Sequence, residues 1–188
     1  YSMFYIADSF NQNISTWNTA KVVTMSDMFQ GAGLFNQNVG NWNVSGVTDM
    51  QQMFTFALSF NNGGSTSISG WNVSNVTNME GMFRFGSFNQ DIGAWDVGNV
   101  TTMEVMFYHQ TNISGTGFNN GGSPSISGWN VSNVTNMIEM FRGAKIFNQP
   151  IGNWNVSGVT SMFGMFTNQG GGTNPFNKNI GAWNVSGV

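Results

Sequence analysis

The chain has 188 residues, of which 40% are apolar, 14% aromatic and only 7% charged, whereas roughly 25% charged residues is usual. A chain with so many aromatic and so few charged residues is expected to fold. Its net charge of −3 is too weak, and of the wrong sign, to hold nucleic acid or anionic lipid. The lack of cysteine excludes disulfides and thiolate metal sites. No apolar run approaches the ~20 residues that a membrane span requires, and no signal peptide or anchor is recognisable.

A repeat of about 25 residues runs through the whole chain. Its unit reads F-N-Q-x-I-G-x-W-N-V-S-x-V-T-x-M-x-x-M-F, and all tryptophans and methionines fall in register with it. A propeller blade needs four strands in about 40–45 residues, so the shorter unit favours a solenoid. We therefore expect one domain, residues 1–188, with about seven coils. The coils are centred on Trp17, Trp42, Trp71, Trp95, Trp129, Trp154 and Trp183.

Two apolar periodicities occur within each unit. In residues 42–45, Trp and Val alternate with Asn and Ser, which is typical of a strand with one buried face. In residues 47–54, apolar residues recur with the spacing of a short helix or 3₁₀ segment, and Thr48 with Gln51 matches the spacing of a capping box. The same pair recurs in only two other repeats. The prediction is a solenoid with parallel short strands on one face and short helices on the other.

Insertions occur at two places in the unit. Residues 61–68 and 119–126 have nearly the same sequence and lie between Phe-Asn and Trp. Residues 108–117 and 167–175 lie between Met-Phe and the next Phe-Asn. All four are predicted to be loops that leave the strand and helix registers unchanged.

The segments 88–97 (FNQDIGAWDV) and 129–137 (WNVSNVTNM) resemble the BspA-type leucine-rich-repeat surface proteins found in mycoplasmal and other bacterial surface lipoproteins. The resemblance covers the whole chain. It implies a leucine-rich-repeat-like solenoid displayed outside the cell, often in adhesion, with no shared catalytic residues. The residues Ile68, Trp71 and Val73 fit the first half of the leucine-rich pattern, whereas Val76 occupies the position of its usual asparagine.

The residues that could carry chemistry are few. His109 has no second His and no Cys beside it, and we expect it in a surface loop. Asp91 and Asp96 are five residues apart and could serve acid–base chemistry, but other repeats carry Asn or Pro there, which favours surface variation. Gly170–172 is not followed by the Lys-Ser/Thr of a phosphate loop, and the Met/Phe stripe is predicted to be core. The prediction is no enzyme, no catalytic or metal site, and no cofactor.

The acceptor sequence for N-linked glycans, Asn-x-Ser/Thr, is frequent, and it could also reflect a preference of the repeat for Asn and Ser in turns. In residues 42–45 the Asn points away from the core, so glycans there could solubilise a weakly charged protein. We expect occupancy to favour this outward series over Asn75 and Asn133, whose side chains are expected to bond backbone. The outward candidates are Asn43, Asn72, Asn130, Asn155 and Asn184, and the other candidates are Asn13, Asn75, Asn99, Asn112 and Asn133.

Three functions remain open at this point. The first is an extracellular or cell-surface structural protein whose copies stack end to end into filaments. The second is an adhesin that binds host protein or glycan on a concave strand face, and the third is a carbohydrate-active enzyme, for which the eight acidic residues are too dispersed. The chain lacks an initiator Met at Tyr1 and is cut within a repeat at both ends, so the ends are not expected to be those of the gene. Joining the end to the start nearly completes one coil, which favours the filament.

Overall fold

A computed structural model gives the structure of residues 2–110, 117–168 and 175–188. Each repeat forms one layer, and the layers stack in chain order. The backbone N–H groups of Met25, Asp27 and Phe29 each donate to a carbonyl of the next layer 24 residues ahead, at 2.9 Å. This bonding recurs from layer to layer. The next layer therefore supplies part of the hydrogen-bond partners that the backbone of each layer requires.

The chain turns repeatedly within a layer. Met28 N–H donates to the Met25 carbonyl at 3.2 Å, and Ala32 N–H donates to the Phe29 carbonyl at 3.0 Å, so successive β-turns alternate with interlayer bonds. Residues with left-handed φ recur inside these turns, including Asp27 at 56° and Gln52 at 53°. A left-handed residue interrupts both a helix and a strand.

The predicted leucine-rich-repeat-like architecture is wrong. Among the described residues there is no continuous strand and no α-helix. The nearest approach to a parallel sheet is one isolated bridge at each of five junctions, and the bridges are Thr24–Asp49, Asp49–Asn78, Asn78–Thr102, Thr102–Asn136 and Asn136–Ser161. The helical elements are four short 3₁₀ helices at Asn62–Gly64, Thr66–Gly70, Asn120–Gly122 and Pro124–Gly128.

Local hydrogen bonds explain the absence of both predicted elements. At the predicted strand, Asn43 Oδ1 accepts from the Ser45 N–H at 3.1 Å, which removes that N–H from strand pairing. At the predicted helix, Thr48 Oγ1 donates to the preceding layer, and the Gln51 N–H donates to Asp49 Oδ1 at 3.0 Å. The expected Thr48–Gln51 capping box therefore does not form, because Asp49 accepts the N–H that Thr48 would have capped.

Phenylalanine rings form the centre of the stack. In each layer the Phe of Phe-Asn stacks on the Phe of Met-Phe, as in Phe54 and Phe60, whose ring centroids are 3.8 Å apart. Between layers the rings are also parallel, with Phe54 and Phe83 at 5.7 Å. Most methionines of the Met-x-x-Met-Phe segments are buried around this column. The prediction that the Met/Phe stripe is core is therefore confirmed.

The prediction of one buried tryptophan in each coil is confirmed for the five interior coils and wrong for the first. Trp42, Trp71, Trp95, Trp129 and Trp154 are at most 4% exposed, whereas Trp17 is 38% exposed. Each buried indole Nε1 donates to a backbone carbonyl of the preceding layer, as Trp95 does to Ile68 at 3.0 Å. Each indole thus fills the core and also bonds to its neighbour.

Candidate functional site: the Asn-rich outer face and the two insertions

One exposed face of the stack carries the outward Asn-x-Ser series. Asn43, Asn72, Asn130 and Asn155 are exposed, and each side-chain Oδ1 accepts from the hydroxyl of the Ser two residues later, at 2.7–2.8 Å. The Ser N–H donates to the same oxygen at 3.1–3.2 Å. Each of these asparagines is therefore held in a tight turn with its amide at the surface.

The remaining acceptor sequences lie in different surroundings. Asn75, Asn99 and Asn133 each donate from Nδ2 to a carbonyl of the preceding layer, at 2.7–2.8 Å. The expectation that Asn75 and Asn133 bond backbone is confirmed. Asn13 and Asn184 are exposed and accept from the N–H of Ser15 and Ser186, while Asn112 lies outside the described residues, as does Gly170–172.

A column of threonines runs beside these asparagines. The hydroxyls of Thr77, Thr101 and Thr135 donate to the carbonyl of the preceding threonine at 3.1–3.2 Å, and the backbone N–H groups do the same at 2.8–2.9 Å. Thr48 and Thr160 continue the column. In residues 42–48 and the matching positions of the next four repeats, the Asn, Ser and Thr columns carry one ionisable residue, Asp96.

An asparagine ladder that was not predicted from the sequence lies at the Phe-Asn position. Asn61 N–H donates to Asn36 Oδ1 at 2.8 Å, and Asn89 N–H donates to Asn61 Oδ1 at 3.1 Å. The same bond links Asn11 to Asn36, and continues through Asn119 and Asn148 to Asn177. The signal that could have revealed it is that Asn follows Phe in every repeat, including those with insertions.

The insertions at residues 61–70 and 119–128, here called the first and second insertions, fold as matched pairs of 3₁₀ helices. Each insertion contains one fully buried asparagine, Asn62 in the first and Asn120 in the second, both 0% exposed. Asn62 Oδ1 accepts from the Val39 N–H of the preceding layer at 2.8 Å, and its Nδ2 donates to the Ser65 carbonyl at 2.7 Å. Asn120 bonds to Ile92 and Ser123 in the same way, at 2.9 and 2.8 Å. These segments are therefore interlayer clamps rather than loops.

Asp91 belongs to the second clamp. Its Oδ1 accepts from the Ser125 hydroxyl at 2.6 Å, the Gly93 N–H at 2.9 Å and Asn120 Nδ2 at 3.3 Å. Burial by itself raises the pKa of Asp91, but the hydrogen bonds from Ser125, Gly93, Ser123 and Asn120 outweigh it, so the pKa lies below its ordinary value. Asp91 also borders an open depression whose other walls include Thr66, Ser69 and Ala94.

The structure gives the three singled-out polar residues separate roles. Asp96 accepts from the Gly98 N–H at 3.0 Å in a turn of its own. Asp96 therefore belongs to a local turn, whereas Asp91 belongs to the second clamp. His109 is 1% exposed, so the expectation of a surface loop residue is wrong. Its backbone N–H donates to the Arg142 carbonyl in the next layer. No cluster of three or more His, Cys, Asp or Glu residues that could hold a metal occurs in the described part of the chain.

Within residues 2–110, 117–168 and 175–188, no helix has the length and apolar character needed to cross a lipid bilayer. A family profile described as "Mycoplasma protein of unknown function, DUF285" matches the chain three times in tandem, at residues 1–67, 64–121 and 116–188. No curated protein and no solved structure matches the chain significantly.

Proposed function

The chain belongs to the repeat family of Mycoplasma proteins of unknown function, DUF285, and on that premise we propose that it is an extracellular structural repeat protein whose layers stack end to end into fibres. The observation that supports this most is the uniformity of the interlayer contact. At the interior junctions the same Asn, Thr and Trp bonds recur, despite layers of different length. Such a contact can join further repeats or a second copy equally well.

The stacking contact has a direction, which favours open growth over closed pairs. The indole and the ladder N–H of one layer donate backward, as in Trp71 to Val39 at 3.2 Å, so the two sides of a layer are chemically different. A head-to-tail contact of this kind gives an open filament when it does not close into a ring.

Light scattering and negative-stain microscopy on the 188-residue chain test the fibre. We expect species larger than the 20.5 kDa monomer, growing with concentration into rods. Trp17→Lys should reduce assembly, because it places a charge in the first layer, at the partly exposed tryptophan that a further copy would cover. Leu34→Lys is the matched control, since Leu34 is equally a surface apolar residue, 57% exposed, in an interior layer. A monodisperse monomer at every concentration contradicts the fibre proposal.

Surface display is also a proposal. It is supported by the exposed Asn-x-Ser series and by the resemblance of segments 88–97 and 129–137 to BspA-type surface repeats. The tandem match to a Mycoplasma repeat family is consistent with a surface repeat protein. Covalent N-linked glycans would solubilise a chain with 7% charged residues. Intact-glycopeptide mass spectrometry on native material should find occupancy at Asn43, Asn72, Asn130 and Asn155 above Asn75 and Asn133, whose amides are bonded to backbone. Unmodified peptides throughout would contradict the glycan part.

The second candidate is an adhesin, and the neutral polar face favours it. Without a continuous strand in the described residues, the concave strand face expected from the sequence is replaced by the Asn, Ser and Thr columns. One ionisable side chain, Asp96, interrupts the Asn column between Asn72 and Asn130. A neutral glycan suits such a face better than a charged partner does. Binding to a glycan array by monomeric protein, without filaments, would favour adhesion over the fibre.

Neither proposal includes catalysis. The hydrogen bonds that Asp91 and Asp96 accept come from turn and clamp donors, which suits a structural role. The double variant Asp91→Asn with Asp96→Asn is expected to leave binding and assembly unchanged. A hydrolase activity that this variant alone loses would contradict the non-enzyme proposal.

A further inference from the structure

The sequence contains two Asn-Gly steps, Asn62-Gly63 and Asn120-Gly121, one in each insertion. Asn-Gly is the dipeptide most open to self-modification, because glycine has no side chain to hinder attack by its own nitrogen. The Gly nitrogen loses its proton to water and bonds to the Asn Cγ, while the Cγ–Nδ2 bond breaks and ammonia leaves. Water then opens the resulting succinimide ring to aspartate or isoaspartate. The net reaction is hydrolysis of an amide, with no redox partner.

The fold requires glycine at these positions. Gly63 and Gly121 have φ of 61° and 60°, in the left-handed region that side chains disfavour. A Cβ on Gly121 would also come within 3.1 Å of the Asp91 nitrogen in the preceding layer, and one on Gly63 within 3.3 Å of the Asn36 carbonyl. The chemically labile step is therefore a consequence of the clamp geometry.

The same geometry restrains each reacting group. Gly63 N–H, the nucleophile, donates to Asn36 Oδ1 of the preceding layer at 2.9 Å. The Asn62 amide is held at its oxygen by the Val39 N–H and at its nitrogen by the Ser65 carbonyl. In the second insertion Gly121 N–H donates to Asn89 Oδ1 at 3.0 Å, and the Asn120 amide is held in the corresponding way. Both asparagines are also shielded from water, at 0% exposed.

We propose that Asn62 and Asn120 are latent deamidation sites that stay intact while each insertion is docked on the preceding layer and convert when the two separate. Conversion replaces a donating amide with a carboxylate, which cannot donate to the Ser65 or Ser123 carbonyl. At Asn120 the new charge also faces Asp91, whose Oδ1 is 3.3 Å from the lost Nδ2. Isoaspartate additionally lengthens the backbone. Redocking is then disfavoured, so a transient opening leaves a permanent covalent mark.

The test is peptide mapping by mass spectrometry, with isoaspartate resolved, after prolonged incubation of the whole chain at mildly alkaline pH. In the wild type, we expect both sites to convert at least about ten-fold more slowly in buffer than in denaturant, because reaction requires local opening. Asn36→Ala should accelerate Asn62 alone, and Asn89→Ala should accelerate Asn120 alone. Each variant is thus the control for the other.

Asn36→Asp and Asn89→Asp are the matched conservative variants. Each keeps an acceptor oxygen for the glycine N–H and should stay near the wild-type rate. Equal rates in folded and denatured wild type overturn the proposal, and that comparison needs no variant to fold. It is also overturned if each Ala variant accelerates both sites equally or neither.

Discussion

The two insertions are near copies that differ in the acceptor beneath them. In the first, Asn38 Oδ1 accepts from the Ser67 hydroxyl at 2.9 Å and from the Gly40 N–H at 2.9 Å. In the second, Asp91 makes the same two bonds to Ser125 and Gly93, at 2.6 and 2.9 Å. The carboxylate also accepts from Asn120. One clamp is therefore neutral and the other contains a carboxylate. Within the insertions themselves the two sequences differ at one position, Thr66 and Pro124.

The comparison shows that the charge is not required for this local fold, because both insertions adopt it. Both insertions have the same left-handed Asn and Gly, and the cap hydroxyls Ser65 and Ser123 each accept from the N–H two residues ahead. The charge instead changes how the stability of the clamp depends on pH. The second clamp is expected to sense pH, and the first is not.

The largest effect is expected from the tryptophans that bind the two insertions, and it should be equal on both sides. Trp95 donates to Ile68 in the first insertion and Trp154 to Ile126 in the second, both at 3.0 Å. Replacing either with Ala should lower the free energy of unfolding by about 3–5 kcal/mol. Urea unfolding followed by circular dichroism measures both. An unchanged stability would mean that the indole contributes no core packing, and a loss at one site alone would break the equivalence.

The clamp asparagines should have the next largest effect. Asn62→Ala leaves the Val39 N–H without its acceptor, and Asn120→Ala does the same to Ile92, which costs about 1–3 kcal/mol for each buried group. At neutral pH the Asn120 variant should lose slightly more, because it also loses the bond to ionised Asp91. Below pH 3.8, the ordinary pKa of Asp91, this excess should diminish. A constant excess at all pH values would assign it to packing.

The smallest effect is expected from the charge itself. The folded-state pKa of Asp91 lies below the ordinary value of 3.8, so the ionised group stabilises the fold above the ordinary pKa. That contribution is lost as the pH falls through the folded pKa. Because Asp91 is partly exposed, the contribution should be on the order of 1 kcal/mol or less.

Thermal unfolding of Asp91→Asn across acidic pH measures this contribution, and the variant should lack that part of the pH dependence. Asn38→Asp is the converse and should add such a component to the first clamp. Identical acid profiles for wild type and Asp91→Asn would show that the carboxylate bonds contribute nothing to stability.

The repeat, its register and its inward side chains could be predicted from the sequence. The spacing of Trp42, Val44 and Val47 marks the buried positions, and all three are at most 3% exposed. The local backbone could not be predicted in the same way, because a turn-built layer and a strand bury the same alternation. Asn43 decides between them by bonding to Ser45, and an Asx-turn of this kind is not distinguishable from an ordinary outward Asn by periodicity.

Some of the candidate functional residues could likewise be predicted from the sequence, and others could not. The outward asparagines follow from the sequence, since Asn43 lies between two inward residues. The clamps do not, because the acceptor of the Val39 N–H is a side chain 23 residues ahead, inside what looks like a polar loop. The buried position of His109 could not be predicted either, since it depends on the next layer, to which its backbone N–H donates.

A repeated apolar pattern must bury the same face in every copy, so a stack of similar units with an aromatic core follows from the sequence alone. How each unit is built depends on contacts between the layers. Its backbone groups take their partners from the neighbouring layer, as when the Met25 N–H reaches the Asp49 carbonyl. A bond between residues so far apart in sequence leaves no local signature, so the two clamps become visible only when the layers are in place.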